Sequence, residues 1–575
     1  MRVLLCYKCS EDGRSDFFER ILPVGLCSLQ ATLVRAGHDS SLANFSSRGW
    51  RAVAARLRET RPEVVGISTF TFNRHASLSL ARLAKKVLPS CTVILGGPHA
   101  SHLHRQLLLE NEALDFIVLG EGEETLPRLL ECLASAGDPR EVRGLAFRHD
   151  GEPGSNGWPE PIADLDRLPH PFEGFRGSGV DARTQFAYLI TSRGCPARCT
   201  FCNTPGFWGS RIRFRSVEHV LAEMRRVREE YGLLYLSIRD DTFTANRRRV
   251  LELCERMREE KLYFLWDCQS RVNAVDDERL VALRRAGCVH IQYGVESGAA
   301  RVLRSLNKDI SLRQIEDAAR ATRAAGLVFS MYLITGVEGE EEAELRETEE
   351  MIRRTRPHDA VVSPLAVFPG TALWEEWKAR HGLNDAAWSA MEREDVYVRA
   401  GQRASEKALQ RIGRAVESQA ARSAYTLEDY RVQRARIGDC HALDLAEADL
   451  HLLQGRPASA KQILERLRAR EPENPWGAYR LGALLLEQGA AREAEEHLAD
   501  LVRRVPRFVE GQVLHGHALV RLRRTARARR AFSRALSLDP SNAPARRAFR
   551  RLGVVEASAP AGFRARGRAA LLRSG

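Results

Sequence analysis

Cys195-Pro-Ala-Arg-Cys199-Thr-Phe-Cys202 is the stretch of this 575-residue sequence that says most about its fold. It follows an apolar run, Tyr188-Leu189-Ile190, and Gly194 opens it, so the chain passes from a predicted strand into a short loop that carries three thiols. Thiolates are soft ligands, and each of the three can bind one iron of a 4Fe-4S cubane. The fourth iron would then lack a protein ligand and stay open to a small molecule.

Two other interpretations of this loop are a structural zinc site and buried free thiols. A zinc site normally completes its tetrahedron with a second Cys-x-x-Cys pair or with spaced histidines, and the sequence after the loop has neither. Most other cysteines, such as Cys91, Cys132 and Cys254, stand singly in apolar runs, as reduced core thiols do. We therefore favour a 4Fe-4S cluster on Cys195, Cys199 and Cys202, in a reducing compartment, the cytoplasm.

Strand and helix signals alternate on both sides of the loop. In residues 1–136 short apolar runs alternate with helical patterns, which predicts an α/β domain with a doubly wound parallel sheet. Residues 137–180 are rich in Gly, Pro and Asp and indicate a linker. In residues 181–400 six strand-helix repeats predict a partial (β/α)6 barrel. In both folds ligands bind beyond the carboxyl ends of the strands.

The last third of the chain repeats itself every 34 residues. Pro472, Pro506 and Pro540 show this spacing, and small or apolar residues keep the same register between them. A helix-turn-helix period of that length is typical of tetratricopeptide repeats, an all-α solenoid. We predict a helical connector over 401–440, repeats over 441–553 and a basic tail over 554–575.

The charge of the chain is concentrated at its end. The net charge is +13, and from Arg521 onward there are fifteen arginines against two acids, so this region accounts for the whole excess. A charged surface is expected on the last unit of a solenoid, which argues against nucleic acid as a partner. No stretch approaches the roughly 18 apolar residues of a membrane span.

The cysteine loop and the barrel resemble the radical S-adenosylmethionine (SAM) superfamily, whose Cys-x-x-x-Cys-x-aromatic-Cys loop follows the first barrel strand. The resemblance implies that the methionine amine and carboxylate of SAM chelate the open iron and that an electron from the cluster cleaves SAM to a deoxyadenosyl radical. A reductant protein of the flavodoxin or ferredoxin type would supply the electron. The chain has Asp240 and Asp241 in place of the family's Gly-Gly-Glu motif. The implied SAM contacts are Phe201, Asp241, Thr242, Ser270, Arg271, Glu296 and Ser297.

The first domain is similar to the cobalamin-binding domain that precedes the barrel in one subgroup of this superfamily. It lacks an Asp-x-His-x-x-Gly motif, so a histidine lower ligand delivered by that motif is not expected. The alternative is a degenerate domain that binds no cofactor. The expected cobalamin contacts lie at strand ends, at Ser68, Thr69, Gly96, Gly97, His99, Gly120, Glu121 and Gly122.

The leading functional hypothesis is a cobalamin-dependent radical SAM methyltransferase that acts on an unactivated carbon of a peptide, carrier-bound or natural-product substrate. The repeats would recruit a peptide or carrier-protein substrate on their concave surface. Three alternatives stay open: a cobalamin-using oxidase or cyclase, an RNA methylthiotransferase with a second cluster on amino-terminal thiols such as Cys6, Cys9 and Cys27, and a non-catalytic repeat protein with an inert barrel.

Overall fold

The computed structural model describes residues 1–11, 13, 16–392, 394–397 and 402–554. The predicted basic tail, 554–575, lies outside these residues apart from its first position. In the described part of the chain, no helix is both long enough and apolar enough to cross a membrane.

The amino-terminal part is built on an eight-stranded sheet. Its strands are β1 (Arg2–Tyr7), β2 (Asp39–Asn44), β3 (Val64–Ser68), β4 (Thr92–Gly96), β5 (Phe116–Val118), β6 (Leu145–His149), β7 (Glu152–Ser155) and β8 (Gly177–Ser178). The spatial order is β7-β6-β5-β4-β3-β1-β2-β8, and all neighbours are parallel except β5-β6 and β6-β7. The helices are α1 (Val24–Arg35), α2 (Trp50–Thr60), α3 (Arg74–Val87), α4 (Pro98–His102), α5 (His104–Glu110) and α6 (Gly122–Ala134). The structure confirms the doubly wound sheet.

The predicted linker, 137–180, supplies three strands of this sheet. The strands β6 and β7 form a hairpin through Asp150 and Gly151, whose φ angles of 52° and 85° suit a tight type I′ turn. The strand β8 pairs with β2 at the opposite edge. The linker prediction was wrong here because the glycines of this segment make turns, as Gly151 does, or lie within short strands, as Gly154 and Gly177 do.

The central part is a partial barrel, as predicted. Its strands, with a short two-stranded ribbon among them, are β9 (Tyr188–Leu189), β10 (Ser192–Arg193), β11 (Arg213–Phe214), β12 (Tyr235–Ile238), β13 (Leu265–Ser270), β14 (Cys288–Glu296), β15 (Val328–Thr335) and β16 (Asp359–Pro364). Six of them form a parallel sheet of order β16-β15-β14-β13-β12-β9, and β10 pairs with β11 antiparallel. The helices are α7 (Ala182–Gln185), α8 (Thr204–Trp208), α9 (Val217–Tyr231), α10 (Arg247–Glu259), α11 (Asp277–Arg285), α12 (Ala300–Ser305), α13 (Leu312–Ala324), α14 (Glu342–Thr355), α15 (Ala372–His381) and α16 (Ala387–Ala390).

The carboxyl-terminal part is a stack of helix pairs. Its helices are α17 (Gln402–Ser423), α18 (Leu427–Ile437), α19 (His441–Leu453), α20 (Pro457–Arg470), α21 (Pro475–Glu487), α22 (Ala491–Arg504), α23 (Val509–Arg521), α24 (Thr525–Leu538) and α25 (Ala543–Val554). The starts of α19, α21, α23 and α25 recur every 34 residues, as the proline spacing predicts.

The repeats dock on the barrel at the amino ends of its strands. The Trp476 indole donates to the carbonyl of Tyr263, two residues before β13, at 2.9 Å. Leu234, directly before β12, is buried in one apolar cluster with the repeats. The carboxyl ends of the parallel strands therefore stay free on the opposite side of the barrel.

Trp476→Ala is expected to lower the free energy of unfolding by about 3 to 5 kcal/mol, because it removes a buried indole and its hydrogen bond from this junction. Thermal or denaturant unfolding measures the change. Leu453→Ala, at a side chain that is 84% exposed on α19, is the matched control and is expected to cost less than about 0.5 kcal/mol. Equal effects of the two changes would contradict a packed junction.

Candidate active site

A cavity of about 690 Å³ lies between the first sheet and the barrel. Strand-end segments of β3, β4 and β5 line one side, and residues of the barrel strands and of the cysteine loop region line the other. Most of the lining is apolar and includes several aromatic rings. The two sheets thus point the carboxyl ends of their strands at one shared space, which is where both folds bind ligands.

Six of the eight expected cobalamin contacts line this cavity: Ser68, Gly96, Gly97, Gly120, Glu121 and Gly122. Gly97 has φ +96°, and a Cβ there would lie 2.8 Å from the carbonyl oxygen of Thr69. Glycine is therefore required at this position, and the bare backbone gives a broad ligand room to approach. Such a wide apolar cradle suits a flat macrocycle.

The structure does not bring Thr69 and His99 into the cavity. The His99 ring is 2% exposed, hydrogen-bonds the Thr71 hydroxyl at 3.2 Å and lies edge-on to Trp388. Burial, followed by the charges of Arg74 and His75, holds its pKa well below the ordinary value. His99 is a neutral core residue here, and the buried Thr69 accepts a hydrogen bond from its backbone amide at 3.2 Å.

The cysteine loop is the connection between the two strands of the ribbon. Arg193 on β10 pairs with Arg213 on β11, and the loop between them carries all three thiols. Gly194 starts the loop at φ +97°, and a Cβ there would meet the Arg211 carbonyl oxygen at 2.5 Å. Cys195 and Cys199 are buried, whereas Cys202 is partly exposed. Burial raises the pKa of the Cys202 thiol.

A second segment supports the loop from below. The Thr200 amide donates to the Leu306 carbonyl at 3.0 Å, and the Asn307 side chain donates to the Arg198 carbonyl at 2.7 Å. Lys308 forms a buried ion pair of 2.6 Å with Glu296. Through Lys308, Glu296 thus anchors the segment 306–308 that supports the cysteine loop. Sequence reasoning missed this role because that segment has no recognisable motif.

Apart from Glu296, the expected SAM contacts fall into two groups. Arg271 lies 3.6 Å from the Cys199 sulfur, and Asp241 accepts a 3.1 Å hydrogen bond from Thr204, just after Cys202. Asp241 keeps exposed surface but lies among many protein atoms, so desolvation, with a contribution from Asp240, raises its pKa to about 6. Phe201 is partly buried against the apolar core. Arg271 and Asp241 therefore flank the loop.

Ser270, Ser297 and Thr242 are turned into the protein. The Ser270 hydroxyl hydrogen-bonds Thr244, and the Ser297 hydroxyl lies 3.2 Å from that of Thr348. Thr242 is buried and donates to the Asp241 carbonyl. Ser270 shares the strand face of the buried Cys268, because side chains on a strand alternate, and this parity was readable from the sequence.

A buried set of four charges connects the two halves of the site; we call it the glutamate-arginine latch (Glu121, Glu123, Arg193 and Arg213). Arg193 contacts Glu123 at 2.6 Å and Glu121 at 3.7 Å, and Arg213 donates to Glu121 at 2.9 Å. Burial alone would raise the pKa of Glu123, but Arg193 and a hydrogen bond from Ser28 outweigh it and hold this pKa below its ordinary value of 4.5. The latch thus joins the cavity side of the first sheet to the base of the cysteine loop.

Within the described residues, no three or more His, Cys, Asp or Glu side chains are gathered as ligands for a single metal ion. The three thiols of the loop are therefore not drawn around one point. In a cubane each thiolate binds a different iron, and three soft donors on one loop are the donor set that a cluster with one open iron takes. The three thiols are therefore chemically suitable ligands for a 4Fe-4S cluster. That they bind it is a proposal.

Comparisons with known proteins agree with this architecture. The profile of the radical SAM superfamily matches residues 189–352, that of the B12 binding domain matches 16–130, and that of the tetratricopeptide repeat matches 451–512. An uncharacterized methyltransferase of Pyrococcus horikoshii is 30% identical over 375 residues, which cover 64% of this chain and 80% of that protein. The chain belongs to the radical SAM superfamily.

Two further similarities bear on the fold and the activity of this radical SAM enzyme. An anaerobic magnesium-protoporphyrin IX monomethyl ester cyclase of Cereibacter sphaeroides is 28% identical over 393 residues, or 65% of this chain and 63% of that protein. The radical SAM methyltransferase TsrM of Kitasatospora setae, solved with cobalamin and a [4Fe-4S] cluster, has a TM-score of 0.56 and 17% identity and covers 66% of this chain and 75% of that one. The latter similarity concerns the fold.

The family and the matched domains give the enzyme three cofactors, a 4Fe-4S cluster, SAM and cobalamin. A second cluster on the amino-terminal thiols finds no support in the geometry of the described residues. Cys6 and Cys27 are fully buried, and burial raises the pKa of Cys27 to about 12. The Cys6 thiol donates to the Gly66 carbonyl in the core.

Proposed function

We propose that this protein is a cobalamin-dependent radical SAM methyltransferase that methylates an unactivated carbon. The observation that carries the proposal is the shared cavity, onto which the glycine loops of a B12-type sheet and the barrel strands next to the cysteine loop both open. When bound, the cluster and SAM supply a deoxyadenosyl radical and cobalamin supplies a methyl group. A substrate in the cavity would lie between the two sources.

In this proposal the chain's own residues bind, orient and exclude water. Cys195, Cys199 and Cys202 hold the cluster, and Arg271 and Asp241 contact SAM beside it. The glycine loops at Gly97 and Gly120 carry cobalamin on the opposite wall. The apolar lining keeps water from the reacting groups, which protects a radical from side reactions.

The domain division that we propose follows the packing. Residues 1–180 form the cobalamin unit, 181–400 the barrel, 401–440 a connector and 441–553 the repeats.

We further propose that the repeats bind a protein partner, either a peptide or a carrier that presents the substrate, and that a flavodoxin or ferredoxin supplies electrons in the cytoplasm. The repeats dock on the amino side of the barrel, and none of their residues lines the cavity.

The test is the stoichiometry of an anaerobic reaction with a methyl-labelled SAM, a reductant and candidate substrates. Each methylated product is expected to appear with one deoxyadenosine and one S-adenosylhomocysteine, since one SAM is the radical source and a second is the methyl donor. A cyclase, as in the Cereibacter relative, would give deoxyadenosine without matching S-adenosylhomocysteine. A methylthiotransferase would add sulfur to its product and would not need cobalamin. Either result would contradict the proposal.

A further inference from the structure

Three charged side chains line the interdomain cavity in the described part of the chain, and only one of them lacks an ionic partner. Glu121 and Glu123 belong to the latch and face Arg213 and Arg193. Arg239, at the end of β12, forms no ion pair with any described residue, and its Nε is buried without a hydrogen-bond acceptor. A cation in such a place is costly unless an anion accompanies it.

Arg239 is held in position by a polar row across the barrel. Its Nη1 donates to the Gln292 side-chain oxygen at 2.9 Å, and that oxygen also accepts from Gln269 at 3.1 Å and from the Tyr332 hydroxyl at 2.9 Å. Gln269 also donates to the Tyr332 hydroxyl at 3.0 Å. The row thus fixes the guanidinium without neutralising it, because every member except Arg239 is uncharged.

The nearest buried acid on the neighbouring strand does not neutralise it either. Asp267, on β13, already accepts hydrogen bonds from the Tyr235 hydroxyl at 2.9 Å and the Ser237 hydroxyl at 2.7 Å. No ion pair joins it to Arg239 among the described residues. The guanidinium therefore lines the cavity without a neutralising acid, in the planar form that binds carboxylate or phosphate.

The walls around Arg239 are aromatic. Its guanidinium carbon lies 5.5 Å from the ring centroid of Tyr188 and 5.9 Å from that of Phe17. Phe70, Phe207 and Trp208 line the same cavity. A ligand that reaches Arg239 has to lay an apolar or aromatic body along these rings.

We propose that Arg239 binds the anionic group, carboxylate or phosphate, of a substrate whose remaining body is apolar or aromatic. This inference rests on the proposed function, because it names the substrate class of the same cavity. The carboxylate of SAM is committed to the open iron in this family, and Arg271 is the cationic side chain beside Cys199. Arg239 is thus left to the substrate.

The test is a binding measurement on the anaerobic enzyme loaded with cluster, cobalamin and SAM. Calorimetry measures the binding of three probes, which are 1-naphthoate, 1-naphthyl phosphate and the neutral 1-naphthamide. We expect at least one of the two anions to bind roughly tenfold or more tightly than the amide, since a hydrogen bond between charged groups adds about that much. The tighter anion identifies the group that the substrate carries.

Arg239→Gln is expected to remove this preference while binding of the amide changes less than about twofold. Arg239→Lys is expected to keep part of the preference, and it separates lost charge from lost packing. Arg248→Gln, at an exposed arginine of α10, is the matched control and is expected to bind all probes as the wild type does.

Equal affinity for anions and amide, failure of both anions to bind, or a preference that survives in Arg239→Gln would overturn the proposal. Anion binding that is present without the cofactors and lost on loading them would assign Arg239 to a cofactor and overturn it too. The measurement needs no turnover, so it can fail while methyl transfer stands. Methyl transfer can likewise fail while the anion preference stands.

Discussion

Replacing Cys195, Cys199 and Cys202 together with alanine is expected to reduce the bound iron from about four atoms per chain to none and to abolish SAM cleavage. The loop offers the three soft donors, and its support by Leu306 and Asn307 presents them beside the cavity. Iron analysis, the absorption near the blue end of the visible range and the yield of deoxyadenosine measure the change.

Cys254→Ala is the matched control for the triple variant. Its thiol, on α10, is buried in the apolar core of the protein. Burial raises the pKa of this thiol far above the ordinary value, so it is a poor iron ligand. This variant is expected to keep its iron content and its SAM cleavage. Iron or SAM cleavage that survives in the triple variant would place the cluster elsewhere.

Glu123→Gln is expected to lower the free energy of unfolding by about 3 to 5 kcal/mol, because it leaves the buried Arg193 charge without its closest partner. It should also speed the loss of iron to a chelator, since Arg193 immediately precedes the loop. Denaturant unfolding and the rate of bleaching with a chelator measure the two effects. The double variant with Arg193→Gln should cost less than the sum of the single changes.

Glu218→Gln is the surface control for the latch. Glu218 pairs with Arg225 and Arg256 where its side chain is 60% exposed, and such pairs contribute less than about 1 kcal/mol.

Because the folded pKa of Glu123 is depressed, the latch contributes its stability above the ordinary pKa of 4.5 and loses it as the pH falls through the lower folded value. Equal costs for the two glutamates, or no change in iron loss, would contradict a positioning role.

Patterns of short range predicted much of this fold. The cysteine loop after a strand, the alternation of strands and helices and the 34-residue period are all local in sequence, and each has its place in the structure. Of the three strands within 137–180, β8 escaped detection because it has only two residues and pairs with the distant β2, whereas β6 and β7 were hidden by the glycines and prolines around their hairpin. Strands that short leave no periodic signal.

The site was harder to predict because it depends on contacts far apart in the chain. Glu121 was expected to contact cobalamin, but its carboxylate accepts a hydrogen bond from Arg213, 92 residues away. The resemblance placed Arg239 at the start of the stretch expected to contact SAM, yet its side chain donates a hydrogen bond to Gln292 on another strand. Strand parity alone would have predicted that Ser270 points into the core. The glutamate-arginine latch, in contrast, is visible only from the three-dimensional contacts.

The most direct test of methyl transfer needs no substrate. Enzyme with reconstituted cluster is prepared with and without cobalamin and is given SAM and a reductant under anaerobic conditions. The account predicts about one S-adenosylhomocysteine per bound cobalamin in a single turnover and none without cobalamin, whereas slow release of deoxyadenosine depends on the cluster in both samples. S-adenosylhomocysteine that forms equally without cobalamin, or that fails to form with it, would contradict the account.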